Sequence, residues 1–160
     1  MQFTGDGPWE LPIAGLRVRR LTLAMTLTIG ADGDERGALL SLPGPFEMTT
    51  PSQETVRLDP EHQGWEEMSV LFALRDDLIT RASASSDGTL EVCFSSGHRL
   101  CARSEGEFEG WEIAAGERTI VGTPGAVLVW DEEARARAQD IDVSELGDLL
   151  ARLRAGRPGA

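Results

Sequence analysis

The chain contains no lysine, no asparagine and no tyrosine. Without lysine it can form no Schiff base and no ammonium-bearing phosphate loop, and without tyrosine it has no phenolic acid or nucleophile. All fifteen basic residues are arginine, a usage that points to GC-rich codons. Two histidines are too few for a histidine-rich zinc site, and His62 falls in the first turn of a predicted helix, so no metal and no cofactor are expected. No apolar run approaches the roughly 20 residues of a bilayer span. The opening residues, MQFTGDGPWELP, carry neither a basic leader nor the hydrophobic stretch of a signal peptide, so the expected location is cytoplasmic, with no membrane association.

What is present is acid and an ordinary core. The 160 residues are 41% hydrophobic, enough for one domain, and the net charge is -12. The acid lies mostly before the tail: residues 1–130 hold ten arginines against twenty acidic residues, and residues 131–160 hold five against seven. Such a surface repels phosphate backbones, so a nucleic-acid partner is not expected unless Arg17, Arg19 and Arg20 form a local patch. A basic partner protein suits the charge better.

Two stretches read as β-meanders. VRRLTLAMTLTIGADGDERGALLSLPGPFEM, from Val18, and ITRASASSDGTLEVCFSSGHRLCARSEGEFEGWEI, from Ile79, both break aliphatic alternation with Asp-Gly, Ser-Gly or Pro-Gly turns. Laid together, they match Arg20 with Arg81, Thr26-Leu27 with Thr89-Leu90, and Gly44-x-Phe46-Glu47 with Gly106-x-Phe108-Glu109. A duplicated structural unit and two unrelated meanders both account for the echo. Between them, Asp59 and Pro60 predict the start of a helix over about 60–74, with Trp65, Met68, Leu71 and Phe72 on its buried face. IAAGERTIVGTPGAVLVW supplies two further strands ending at Trp130. Beyond it, Asp142 and Glu145 suggest a capping box for a C-terminal helix with a Val143, Leu146, Leu149, Leu150 and Leu153 stripe. The expected fold class is therefore α+β: an antiparallel β-rich domain over 1–130, one connecting helix, and a helical extension over 131–160 packed on the same domain. A monomer is expected, with a homodimer through the C-terminal helix as the alternative.

The residues that could carry chemistry are few. A three-residue Ser95-Ser96-Gly97 turn pairs Val92 with Leu100, which sets Cys93 opposite Arg99 and Cys101 opposite Glu91. The thiols then share a face without opposing each other, and His98 points away from Cys93, so neither a disulfide nor a Cys-His dyad is expected. ADGDERG, at 31–37, begins like a calcium loop but places Arg36 and Pro43 where carboxylates are required. The remaining cluster is Glu107, Glu109, Trp111 and Glu112, to which Trp130 adds a second aromatic wall. Alternation sends Glu107, Glu109 and Trp111 to one face if Gly110 leaves the strand regular. The cluster reads as core anchors with wetted carboxylates or as an acidic, aromatic binding rim.

The order of these signals, SDGTLEVCFSSGHRL, then FEGWEI, then TPGAVLVW, resembles a family of small uncharacterised bacterial proteins classed as a domain of unknown function, over about residues 11–130. The chain departs from the family pattern at Ala126, where a second glycine is usual, and in its tail. The resemblance implies a fold and no activity. In size and acidity the chain is also similar to immunity proteins of bacterial toxin systems, which occlude a toxin. The function expected is accordingly a non-catalytic protein-binding module, an immunity-type or regulatory protein with a basic toxin or regulator as partner. The alternative is a small-molecule-binding protein or enzyme using Glu109 and Glu112 beside Trp111.

Overall fold

The computed structural model describes residues 7–106 and 109–131. The chain divides into two compact units, Met1–Val129 and Trp130–Ala160, and the sheets described below belong to the first apart from Trp130 at the end of its last strand. Among the described residues twelve strands form: β1 (Trp9–Glu10), β2 (Arg17–Leu23), β3 (Leu27–Asp32), β4 (Gly37–Leu42), β5 (Phe46–Thr49), β6 (Thr55–Leu58), β7 (Ile79–Ala84), β8 (Leu90–Phe94), β9 (Arg99–Ala102), β10 (Trp111–Ala115), β11 (Arg118–Thr123) and β12 (Ala126–Trp130). They make two six-stranded sheets, in the orders β1-β7-β8-β9-β5-β6 and β12-β11-β10-β4-β3-β2.

Alternation assigns the faces. Leu90, Val92 and Phe94 of β8 and Leu100 and Ala102 of β9 are buried, as are Leu27, Ile29, Leu40, Leu42 and Ile113 of the other sheet, and all belong to one shared core. Two sheets each apolar on one side have one way to hide both, which is face to face.

The chain crosses between the sheets in a repeated manner. The meander β2-β3-β4 leaves its sheet through Pro43-Gly44-Pro45, and β5 then pairs with β9. The meander β7-β8-β9 leaves through residues 103–110, and β10 then pairs with β4. Each half thus hands its next strand to the third strand of the other. The correspondence extends to detail: the register slips between Val18 and Arg20 in β2 and between Ile79 and Arg81 in β7, and Leu27 and Leu90 each open the second strand. Gly44 and Gly106 both lie in the crossings. The two meanders are thus built and connected alike, and both copies of the Gly-x-Phe-Glu echo fall at or beside a crossing, with Phe46 and Glu47 already in β5 and Glu109 ahead of β10.

The α+β expectation is corrected: the described residues form an all-β sandwich, with a 3-10 helix over Ser69–Leu74 where an α-helix over 60–74 was expected. The reason is local. The Asp59 carboxylate accepts the Glu61 N–H at 3.1 Å and meets His62 Nδ1 at 2.8 Å, while the Gln63 side chain accepts the Asp59 N–H at 2.7 Å. These bonds, with the Gln63 N–H donating to the Asp59 carbonyl at 2.9 Å, make the expected cap and first turn, but Gly64, a poor helix former, follows at once and the turn is not continued. Downstream, the buried residues are Met68, Leu71 and Leu74, spaced by three, which matches a 3-10 helix of three residues per turn. Phe72, placed on the buried face by a 3.6-residue period, is 56% exposed. The C-terminal helix expected from 142 onward, with its packing and the dimer alternative built on it, lies outside the described residues.

The register expected around the cysteines is the one observed: Val92 pairs with Leu100, Cys93 with Arg99 and Glu91 with Cys101, and Gly97 takes φ +92 in the turn. Asp77 clamps that turn. Its carboxylate accepts the Ser95 hydroxyl and the backbone N–H groups of Leu78 (3.0 Å) and Ser96 (3.2 Å). Partial burial pushes the carboxyl up, but these hydrogen bonds outweigh it and hold Asp77 below the usual carboxylate range. A depressed carboxyl contributes stability that is present above its ordinary value and is lost as pH falls through the lowered one. Asp77→Ala is expected to cost about 1–2 kcal/mol at neutral pH, and the difference from wild type should shrink on acidification. Urea unfolding at neutral pH and at pH about 3 checks both; a loss independent of pH would contradict the clamp.

Candidate functional site

The described residues form a cleft of about 710 Å³ lined by Pro43, Gly44, Pro45, Phe46, Glu47, Arg57, Glu61, Cys101, Arg103, Glu105, Glu109 and Gly110. Its walls are the two sheet crossings. One supplies Pro43 to Phe46 and the start of β5, and the other supplies Arg103, Glu105, Glu109 and Gly110. The second crossing is pinched at its base: a Cβ on Gly110 would stand 2.7 Å from Ser104 Cα, so only glycine allows the chain to close there.

Cross-strand pairing arranges the floor. Glu47 of β5 lies between Arg57 of β6 and Cys101 of β9, and Cys101 in turn opposes Glu91 of β8. Four carboxylates, Glu47, Glu61, Glu105 and Glu109, face two guanidiniums, Arg57 and Arg103, around the cleft. Both thiols are half-buried and unbridged. Burial pushes Cys101 above the ordinary thiol value, Glu47 and Glu91 add to this, and the adjacent Arg103 opposes it. Cys93 is likewise raised, by burial and by Glu91. Raised thiols stay protonated at neutral pH and make poor nucleophiles. Among the described residues there is no group of three or more His, Cys, Asp or Glu placed to hold a metal ion.

The residues singled out from sequence are distributed over different parts of the molecule. Glu109 lines the cleft. Glu107 lies outside the described residues. Trp111 is fully buried, with its indole N–H donating to the Gly88 carbonyl at 2.7 Å. Glu112 follows Trp111 on β10 and so points to the opposite, outer face, between Ser41 and Val121. Trp130, 40% exposed, ends β12. The pocket imagined from Glu109, Glu112 and Trp111 is thus not assembled, because strand alternation separates two of its members. Glu47, Arg57, Glu61 and Arg103 were not recognised from sequence. The signal that could have found Glu47 was the Gly-x-Phe-Glu echo itself, since the glutamates of both copies, Glu47 and Glu109, line the same cleft.

Of the three arginines near the N-terminus, Arg17 and Arg19 are engaged by acceptors, while Arg20 is exposed and lines a shallow groove with Arg19 on the outer face of the sheet. Arg19 Nε donates to Asp32 at 2.9 Å and its Nη1 to Asp76 at 3.3 Å, while Arg17 Nη1 donates to the Asp76 carbonyl at 2.6 Å. The ADGDERG stretch forms the end of β3, the turn and the start of β4, and the Gly33 N–H donates to the Arg36 carbonyl at 2.8 Å.

Fold and cleft together define a small antiparallel β-sandwich domain with an acidic cleft where its two halves exchange strands. The chain belongs to a family of unknown function (DUF6188), whose model matches residues 9–131. No curated protein and no solved structure matches it.

Proposed function

We propose that this chain is a non-catalytic protein-binding domain whose cleft receives a basic segment of a partner protein. The observation that carries this reading is the cleft itself: a concavity at the junction of the two halves in which four carboxylates outnumber two guanidiniums. The field of the whole molecule, at a net charge of -12, steers the same kind of ligand. The pairing of Arg19 with Asp32 and Asp76 weakens the competing attraction for an anionic partner at the N-terminal arginines. A domain of this kind suits an immunity-type or regulatory protein of the cytoplasm that covers a basic surface of a toxin or regulator, with electrostatics setting the rate and specificity of encounter.

Titration with an octa-arginine peptide tests the reading. Binding is expected at low salt and should weaken as ionic strength rises and the Debye length shortens toward about 8 Å. The double variant Glu47→Gln/Glu109→Gln should bind roughly tenfold more weakly, equivalent to about 1.4 kcal/mol. The charge-matched control Glu10→Gln/Glu117→Gln, outside the cleft and exposed, should bind as wild type. Equal losses in both would mean diffuse charge attraction and would overturn the reading.

A further inference from the structure

The connector between β6 and β7, which supplies Glu61 to the cleft, also carries an aromatic pair that the core covers only in part. Trp65 and Phe72 stack with ring centroids 5.3 Å apart and planes 25° from parallel. Trp65 is half-buried and packed against the core, so one ring is anchored, while Phe72 is 56% exposed. Folding did not require this exposure: the 3-10 helix already buries Met68, Leu71 and Leu74 on its period of three, and Phe72 falls off that stripe. The segment bearing Trp65 is held by the Gly64 N–H donating to Glu67 at 3.0 Å and the Met68 N–H donating to the Gly64 carbonyl at 3.1 Å. The platform is thus preformed rather than a loose apolar residue on a loop.

Its setting is strongly acidic. Residues 59–77 carry six carboxylates against Arg75 alone among arginines and lysines; Asp59, Asp76 and Asp77 engage His62, Arg19 and the Ser95-Ser96 turn, and Glu61, Glu66 and Glu67 are exposed. Glu66 and Glu67 follow Trp65 directly, and Glu61 lines the cleft. An uncharged apolar partner would bury these carboxylates without compensation. A second copy of the chain would bring its own acidic connector against this one, a repulsive pairing. A guanidinium satisfies both features, because it stacks flat on an aromatic face and presents its N–H fork to carboxylates at the edge.

We infer that the Trp65–Phe72 pair is an arginine-stacking anchor for the basic partner segment, carried on the connector that supplies Glu61 to the acidic cleft. The inference rests on the reading of the cleft proposed above and adds the residue type that the partner must present.

Calorimetric titration of Phe72→Ala and Phe72→Leu with octa-arginine and with octa-lysine tests it. Both variants should bind octa-arginine about fivefold more weakly than wild type, with a smaller loss for octa-lysine, and Phe72→Trp should retain binding. Thermal unfolding of the variants should match wild type, since the side chain is largely in solvent. If Phe72→Ala binds as wild type while Glu47→Gln/Glu109→Gln is weakened, the cleft reading stands and the anchor is overturned. If Phe72→Leu restores what Phe72→Ala loses, the contact is merely apolar and the anchor is again overturned. If wild type binds neither peptide at low salt, the inference falls together with the cleft. A wild-type dimer in sedimentation that Phe72→Ala dissociates would assign the pair to self-association and also overturn it.

Discussion

Trp111→Ala is expected to destabilise the protein by about 3–5 kcal/mol, as large-to-small changes of aromatic residues in cores do. Trp111 is the first residue of β10 and the largest fully buried side chain. Its ring lies over Gly122, its direct cross-strand partner on β11, where a Cβ would come within 2.1 Å of Nε1. The residual space in Trp111→Ala therefore has no neighbouring side chain on that side to relax into it. The indole also ties the two sheets: its N–H and the Ser104 hydroxyl both donate to the carbonyl of Gly88, at 2.7 and 3.0 Å. Trp111→Phe keeps most of the volume and removes one of those donors, so a smaller loss of about 1–3 kcal/mol is expected. Urea denaturation with an unchanged m-value measures both. Equal losses in the two variants would show that the hydrogen bond, not the packing, dominates.

Gly88→Ala should be similarly severe for a different reason. Gly88 sits at φ +89 in the turn between β7 and β8, and a Cβ there would lie 2.0 Å from the Thr123 carbonyl oxygen and 3.2 Å from that of Ala126. The obstructing atoms are backbone, held by the Gly125 N–H donating to the Asp87 carbonyl at 2.9 Å and by the Thr123 hydroxyl donating to the Ala126 carbonyl at 3.3 Å. Left-handed strain and overpacking then add to a loss of about 3 kcal/mol or more. Gly125→Ala is the internal comparison: φ is +77 but nothing lies within 4 Å of the added methyl. Strain alone should cost about 1–2 kcal/mol there. Thermal unfolding of the two variants side by side separates conformation from contact, and matching losses would mean that the close approach of the two turns is not a constraint.

How much of this was legible in the sequence depended on periodicity. The β8-β9 hairpin was readable to the residue, because alternation and one turn glycine allow a single register that keeps Leu90, Val92 and Phe94 with Leu100 and Ala102. The equivalence of the two meanders was visible in Arg20, Arg81 and the Thr-Leu pairs, but its consequence was not, since which strand each crossing delivers to which sheet is a long-range choice. The connector was misread because Met68, Leu71 and Leu74 fit a period of three as well as one of 3.6, and because Gly64 interrupts the segment directly after the turn that Asp59 caps. Which candidate residues come together was not legible for a related reason: Glu109 and Glu112 are close in sequence, yet one precedes β10 and lines the cleft while the other, the second residue of β10, points to the opposite face from Trp111.

The central claim is that the cleft between the sheet crossings is the binding surface for a basic segment. Amide chemical-shift mapping of the wild-type chain with octa-arginine tests it most directly. The account predicts that the perturbed residues cluster at 43–47, Arg57, Glu61, 101–105 and 109–110, with Trp65 and Phe72 moving in the same titration. Perturbations spread evenly over the acidic surface, or centred on the outer face of the other sheet around Arg20, Leu39 and Ala114, would contradict it.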